Sequence, residues 1–213
     1  MKTISVRQLM FTFVPAAAIL VVTLLGRLVF HESFRNLTQD VPTLAGIHPI
    51  KGFLSTLGIL LWCATASICL FAAMTLKNAR PRGTFWFLLS SSLLSTYLLL
   101  DDAFEIHEVL AKLYFGLSEK AVFSLLGIAV IVYAVAFRRI ILRTNFGILL
   151  LALILLGTCV AIDTFFETWL LRLDDWEYFI EDGLKWLGIT CWCSYYAHTS
   201  YQLLIKSFRP PDH

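Results

Sequence analysis

The chain has 213 residues, of which 58% are hydrophobic and 15% are charged, and its formal net charge is +2. Soluble domains are about 45–50% apolar. This composition, with a mean hydropathy of +0.76, therefore excludes an ordinary soluble domain and predicts a membrane protein. The basic residues are scattered in short segments between apolar runs, a pattern that does not indicate nucleic-acid binding.

Six apolar segments follow one another along the chain. Several hold about 20 apolar residues, enough to span ~30 Å of hydrocarbon. We predict an all-α polytopic membrane protein, a bundle of six transmembrane helices in a single domain over residues 1–213, with helices at approximately 9–30, 52–76, 84–114, 119–137, 146–171 and 176–205. The connection over residues 31–50 is long for a compact bundle, which indicates a functional loop or a short surface helix.

The distribution of charge predicts how these helices are oriented. If all six cross the bilayer, ten Lys and Arg residues fall on one side: Lys2, Arg7, Lys77, Arg80, Arg82, Arg138, Arg139, Arg143, Lys206 and Arg209. The positive-inside rule makes that side cytoplasmic, with both termini in the cytoplasm. Of the 15 Asp and Glu residues, 14 then lie on or near the outer side. We expect a bacterial inner (cytoplasmic) membrane with the acidic face outward.

The third apolar segment ends in the sequence DDAFEIHE at residues 101–108, which places four carboxylates and an imidazole in eight residues. On a helical period, Asp101, Glu105 and Glu108 share one face, with Asp102 and His107 on either side of it. Stacked like charges destabilise a helix by a few tenths of a kcal/mol per pair, and desolvation beside a membrane adds to that cost. A cation, a basic partner or water should therefore compensate these acids.

Acids on two later helices lie at a similar depth, since Asp163 and Glu167 are one turn apart and Glu181 lies near the start of the last helix, with Lys185 one turn below it. The predicted outer cluster consists of eight acids: Asp101, Asp102, Glu105, Glu108, Asp163, Glu167, Glu181 and Asp182. Ordinary polar helix ends explain such acids equally well. Arg27 or Lys185 is then the partner for the acids of the fifth helix.

The ligand chemistry of this cluster favours a hard divalent cation. Carboxylates from several helices, with few nitrogens and no thiolates, suit Ca²⁺, Mg²⁺ or Mn²⁺. His107 is a candidate ligand or catalytic general base. A di-iron centre is less well supported, because the sequence lacks two Glu-x-x-His motifs, and a zinc site lacks its usual ligand set.

A run of hydroxyl residues precedes the acids on the third helix. Ser91 and Ser95 share a face with Asp102, and Ser90, Ser92 and Thr96 lie nearby. This run is either a polar track leading inward from the acids or the mark of close helix packing, which small hydroxyl residues favour in a bilayer.

Two short motifs carry a resemblance. A helix that ends Leu100-Asp101-Asp102-x-x-x-x-His107-Glu108, and a later helix that opens Glu181-Asp182-Gly183-Leu184-x-x-Leu187-Gly188, resemble a pattern in uncharacterised bacterial multi-pass membrane proteins. The resemblance covers two helices. It directs attention to these positions and implies no activity.

Three functions fit the sequence. The first is binding of a divalent cation on the outer side. In its further form, this hypothesis makes the protein a metal-dependent enzyme whose substrate is a lipid or a lipid-soluble molecule. The second is a cation or proton transporter or channel that uses the same acids. The third is an accessory subunit of a larger membrane complex. The expected partners are membrane lipids and either a second copy of the chain, as a homo-oligomer, or a partner membrane subunit.

Overall fold

The computed structural model describes residues 6–31, 33–79, 81–163 and 176–208, and all regular structure in these ranges is helical. A π-helical segment, Ile106–Leu110, joins the fifth and sixth of ten α-helices in this part of the chain. The α-helices are α1 (Val6–Phe30), α2 (Phe34–Thr38), α3 (Val41–Ala45), α4 (Phe53–Leu76), α5 (Arg82–Phe104), α6 (Ala111–Phe115), α7 (Glu119–Ala136), α8 (Arg138–Ile141), α9 (Phe146–Ala161) and α10 (Trp176–Phe208). The predicted all-α class is confirmed.

The chain divides into two compact units, and the first, Met1–Phe53, contains α1 and the short helices α2 and α3. Ser33 starts α2 because its hydroxyl accepts a hydrogen bond of 3.2 Å from the backbone N–H of Asn36. Gly46 ends α3 in the left-handed conformation, which costs glycine little. The long connection after α1 thus contains short helices, as one of its two interpretations predicted.

The second unit, Leu54–His213, contains most of the apolar helices. Among the described residues, α4, α5 and α7 are long and apolar enough to cross a membrane. Two shorter apolar helices are α9 and, in the first unit, Ala16–Val29. Only 11% of the most apolar window of α7 is buried in the protein. Water would penalise so much exposed apolar surface, whereas lipid would not. The composition of these helices therefore indicates a membrane protein.

Glycine allows two close helix contacts in this unit. A Cβ atom at Gly188 of α10 would lie 2.7 Å from Cγ of Leu156 in α9, so no larger residue fits without movement. A Cβ atom at Gly58 of α4 would lie 3.1 Å from Cδ1 of Ile189 in α10. Small residues at helix crossings are typical of membrane bundles, where close backbone approach replaces the hydrophobic effect as the driving force.

Aromatic side chains fill the interior of the second unit. Phe87, Trp192 and Tyr196 are at most 1% exposed, and Trp62 is 2% exposed. The rings of Trp62 and Trp192 meet edge to face with centroids 5.7 Å apart, and those of Trp192 and Tyr196 are 5.1 Å apart. All four rings bury large areas, and the polar atoms of the two tryptophans and of Tyr196 need hydrogen-bond partners.

Hydroxyl groups supply those partners. The Ser91 and Tyr133 hydroxyls are 2.7 Å apart, and the Tyr196 hydroxyl donates to that of Tyr133 at 2.8 Å. Ser95 accepts a 3.0 Å hydrogen bond from Nε1 of Trp192. These contacts join α5, α7 and α10, so Ser91 and Ser95 favour the packing interpretation of the serine run over the polar track.

Candidate functional site

The acidic stretch lies where α5 stops. Glu105 follows Phe104 with φ 50° and ψ 46°, the left-handed region, and its N–H bonds to the Asp101 carbonyl. This conformation costs a residue with a side chain about 1–2 kcal/mol. The π-helical segment Ile106–Leu110 then begins. The predicted helix over residues 84–114 is therefore interrupted, and the single face predicted for three of its acids is not formed.

Asp101 holds this irregular segment in place. Its Oδ1 accepts a 3.0 Å hydrogen bond from the backbone N–H of His107, and its Oδ2 lies 2.8 Å from the ring Nδ1. The two side chains are only 6% and 10% exposed. One carboxylate thus fixes both the backbone and the ring of His107. With Nδ1 held by Asp101, the proton that the ring can exchange is the one at Nε2, on the side of the exposed Glu108 carboxylate.

The surroundings of His107 favour its charged form. The ring packs on Phe123 with centroids 4.8 Å apart, and Nε2 lies 3.3 Å from the Glu108 carboxylate, which is 56% exposed. Burial lowers the pKa of His107, but the hydrogen bond and charge of Asp101, with the charge of Glu108, outweigh it and raise the pKa above its ordinary 6.5. The imidazole follows the candidate span α5, and its surroundings favour the protonated ring over the neutral one.

Asp102 faces a different set of partners. Its Oδ2 accepts a 2.7 Å hydrogen bond from Nε1 of Trp62, and its Oδ1 lies 2.8 Å from Nζ of Lys185. The Asp102 side chain is 10% exposed and that of Lys185 is 37% exposed. These contacts join α4, α5 and α10. Lys185 is thus the basic partner of Asp102, whereas the sequence analysis considered it as a partner for the acids of the fifth helix.

A second pair of acids lies close to His107. Glu119, the first residue of α7, has its carboxyl group within hydrogen-bond reach of that of Asp163, and the charges of His107 and Glu108 act on it as well. Two carboxylates in such contact repel each other, and a shared proton or a bound cation between them would relieve that repulsion. We call His107, Glu108, Glu119 and Asp163 the outer group, after the side of the membrane on which the sequence predicts these acids.

The other predicted ligands have separate positions. Glu105 is exposed, Glu181 is half-buried, and exposed Asp182 lines a narrow cleft with Asp102 and Lys185. Glu167 lies outside the described residues. Within the described ranges, no three His, Cys, Asp or Glu side chains are arranged to hold a metal ion. The described ligands therefore do not converge on one metal centre, and the cation site stays a prediction.

Three contributors to the site are not identified by the sequence analysis. Glu119 carries a usable signal, because it directly follows Ser118, whose hydroxyl caps α7, and so lies at the same helix end as the other acids. Trp62 and Phe123 carry none, since both lie within apolar runs. Their contacts with Asp102 and His107 arise only when the helices pack.

A cavity of about 290 Å³ adjoins the outer group. It is lined by Glu108, Lys112, Gly116, Leu117, Ser118 and Glu119. Gly116 ends α6 in the left-handed conformation, with φ 63°, and the chain turns there into α7. Because Glu108 and Glu119 both line the cavity and both act on His107, the cavity and the histidine belong to one region.

The sequence profile of a family described as a domain of unknown function, DUF8692, matches residues 13–199. The chain belongs to the DUF8692 family. The match includes the acidic stretch and the outer group, and it agrees with the predicted resemblance to uncharacterised proteins. No curated protein and no solved structure matches the chain. Function in this DUF8692 protein must therefore be argued from the site itself.

Proposed function

We propose that this DUF8692 protein spans a bacterial inner membrane with six helices, with both termini cytoplasmic and the outer group facing outward. The three candidate spans support this arrangement, and the apolar stretches Ala16–Val29 and Phe146–Ala161, with α10, supply the remaining three helices. The basic residues between helices support the orientation, because they fall on one side of a six-helix topology.

Its function in this proposal is acid–base catalysis of the hydrolysis of a lipid or a lipid-soluble molecule at the outer boundary of the membrane. His107 takes a proton from the attacking water and returns a proton to the group that leaves. The observation that carries the proposal is the buried Asp101–His107 pair. Asp101 is the positioning residue, and His107 is the general base or acid through Nε2. A positioned group of this kind accelerates a reaction by about 10²–10⁴-fold.

The hydrogen bonds inside the bundle support a reaction at the membrane surface better than proton transport across the membrane. Toward the interior from Asp101, the Ser95 hydroxyl accepts a hydrogen bond from the Trp192 N–H, which can donate but cannot accept a proton. Further in, the Ser91 hydroxyl donates to the backbone carbonyl of Phe87 at 2.7 Å, where the chain of hydrogen bonds ends. These described contacts do not form a proton wire. The transporter alternative therefore has less support than the surface reaction.

Lipid mass spectrometry tests this function. Purified protein is placed in vesicles of phosphatidylethanolamine, phosphatidylglycerol and phosphatidylcholine, and the lipids are analysed over time. His107→Gln is compared with His198→Gln, since His198 is an exposed histidine far along α10. We expect wild type and His198→Gln to form a product that His107→Gln forms about 10²–10⁴-fold more slowly. Unchanged lipids in all three samples would contradict the proposal.

The Glu119–Asp163 pair favours a second candidate, the divalent-cation site predicted from the sequence. Ca²⁺, Mg²⁺ or Mn²⁺ between two carboxylates removes their repulsion as a shared proton does. Elemental analysis of the purified protein separates the two. A near-stoichiometric metal that Glu119→Gln/Asp163→Asn loses, and that the exposed Asp40→Asn retains, supports the cation. Equal metal content in all samples rejects the cation and leaves the shared proton.

A further inference from the structure

The cavity beside His107 lies at the depth of lipid headgroups in the proposed membrane arrangement. It is formed between Phe104, where candidate span α5 ends, and Glu119, where candidate span α7 begins. A short connection between two membrane helices lies at the bilayer surface. In that connection Leu113, Tyr114 and Phe115 are 67%, 55% and 77% exposed. Apolar and aromatic side chains so placed insert into the interface.

Charges of both signs line the cavity, and they narrow the class of ligand. Glu108 and Glu119 contribute carboxylates, and Lys112 contributes an ammonium group. A purely anionic ligand would meet two like charges, and a purely cationic one would meet Lys112. A molecule that carries both an ammonium group and a phosphate complements the whole lining, because each of its charges faces an opposite charge.

We propose that this cavity binds the zwitterionic headgroup of a phospholipid that bears a primary amine, with the ammonium group toward Glu108 and Glu119 and the phosphate toward Lys112. The inference rests on the proposed function and names the substrate class of the same site, since the headgroup would lie beside His107. Small-molecule pockets have volumes of roughly 300–1,000 Å³. At about 290 Å³, this cavity is sized for a headgroup, and the acyl chains stay in the bilayer.

Binding of short-chain lipids to the detergent-solubilised protein tests the inference. The probes are dihexanoyl phosphatidylethanolamine, dihexanoyl phosphatidylglycerol, which lacks the amine, and free phosphoethanolamine. Wild type should bind the first about tenfold more tightly than the second, the effect of one hydrogen bond to a charged group. Lys112→Gln should bind it about tenfold more weakly than wild type. Lys206→Gln, which alters an exposed lysine near the end of α10, should match wild type.

Three results would overturn the inference: equal affinity of Lys112→Gln and wild type, preference for phosphatidylglycerol, or free phosphoethanolamine binding as tightly as the lipid. The last result would assign the site to a soluble ligand. His107→Gln keeps this test separate from the proposed function. If lipid turnover requires His107 but Lys112→Gln binds normally, the headgroup assignment fails and the acid–base function stands. If Lys112 governs binding but no turnover occurs, the function fails and the headgroup site stands.

Discussion

The interior of the second unit and the C-terminal end of α5 both bury polar groups, but the partners of these groups differ. In the interior, Ser91, Tyr133 and Tyr196 are neutral, nearly inaccessible, and joined by hydrogen bonds of 2.7–2.8 Å. At the end of α5, Asp101 and His107 are ionisable and lie in a segment that contains the left-handed Glu105. The neutral hydroxyls of the interior stabilise helix packing without charge. The ionisable groups at the end of α5 can bind protons or cations.

The difference separates structural from functional polar groups. Hydroxyl groups that are hydrogen-bonded within regular helices are accounted for by helix packing alone. A non-glycine residue at positive φ, followed by a π-helical segment, costs stability, and such conformations cluster at functional sites. In this chain that irregularity lies at the His107 ring and near the cavity lined by Glu108 and Glu119. Four experiments test this contrast.

The largest effect is expected from opening the interior. Trp192→Ala removes a fully buried indole and leaves a cavity among aromatic rings, so we expect a loss of about 3–5 kcal/mol in the free energy of unfolding. Trp86→Ala is the matched control, because Trp86 is 55% exposed. Denaturant unfolding in detergent micelles measures both. Equal losses in the two variants would show that the interior is not packed as described.

Breaking the charged contact between α5 and α10 should have a smaller effect. Asp102→Asn leaves Lys185 without its carboxylate, and we expect a loss of about 1–3 kcal/mol, below that of a fully buried pair because Lys185 is 37% exposed. Adding Lys185→Met should restore part of the stability. A double-mutant cycle by denaturant unfolding gives the coupling. Additive effects of the two changes would contradict the contact.

The stability of the protein should depend on pH through the titration of His107. Because the folded-state pKa of His107 is raised, folding favours the imidazolium. This contribution is complete below pH 6.5 and is lost as the pH rises through the folded-state pKa. The difference in Tm between wild type and His107→Gln should therefore shrink as the pH rises above 6.5. Thermal scans measure it, with His198→Gln as the control. A difference that is constant with pH would contradict the pKa direction.

The smallest effect is expected at Glu105. Glycine adopts its left-handed conformation without strain but gains entropy in the unfolded chain, so Glu105→Gly should raise stability by only about 0.5 kcal/mol. Glu105→Val should lower it by about 1 kcal/mol, since a β-branched residue is strained there. Because the side chain is exposed, no lost contact obscures the comparison. A straight helix at this position would reverse the order of the two variants, which denaturant unfolding would detect.

Periodicity and composition predict the helices well, because long apolar runs have few structural alternatives in a membrane. They also identify Asp101 and His107 as site residues. They do not predict the interruption at Glu105, since no glycine or proline marks it in the sequence. Nor do they predict that Asp101 contacts His107 while the adjacent Asp102 contacts Lys185. The partner of each carboxylate depends on which helices pack beside it, and the sequence pattern of a single helix does not contain that information.

A pH titration of His107 by NMR, with histidine labelled isotopically and resonances assigned by His107→Gln, tests whether Asp101 and His107 form an acid–base pair. We expect an imidazole pKa above the ordinary 6.5, with Nδ1 keeping its proton when the ring is neutral. In Asp101→Asn that pKa should fall, because the largest favourable partner is removed and burial remains. A pKa at or below 6.5 that Asp101→Asn leaves unchanged would show that the two residues do not form an acid–base pair.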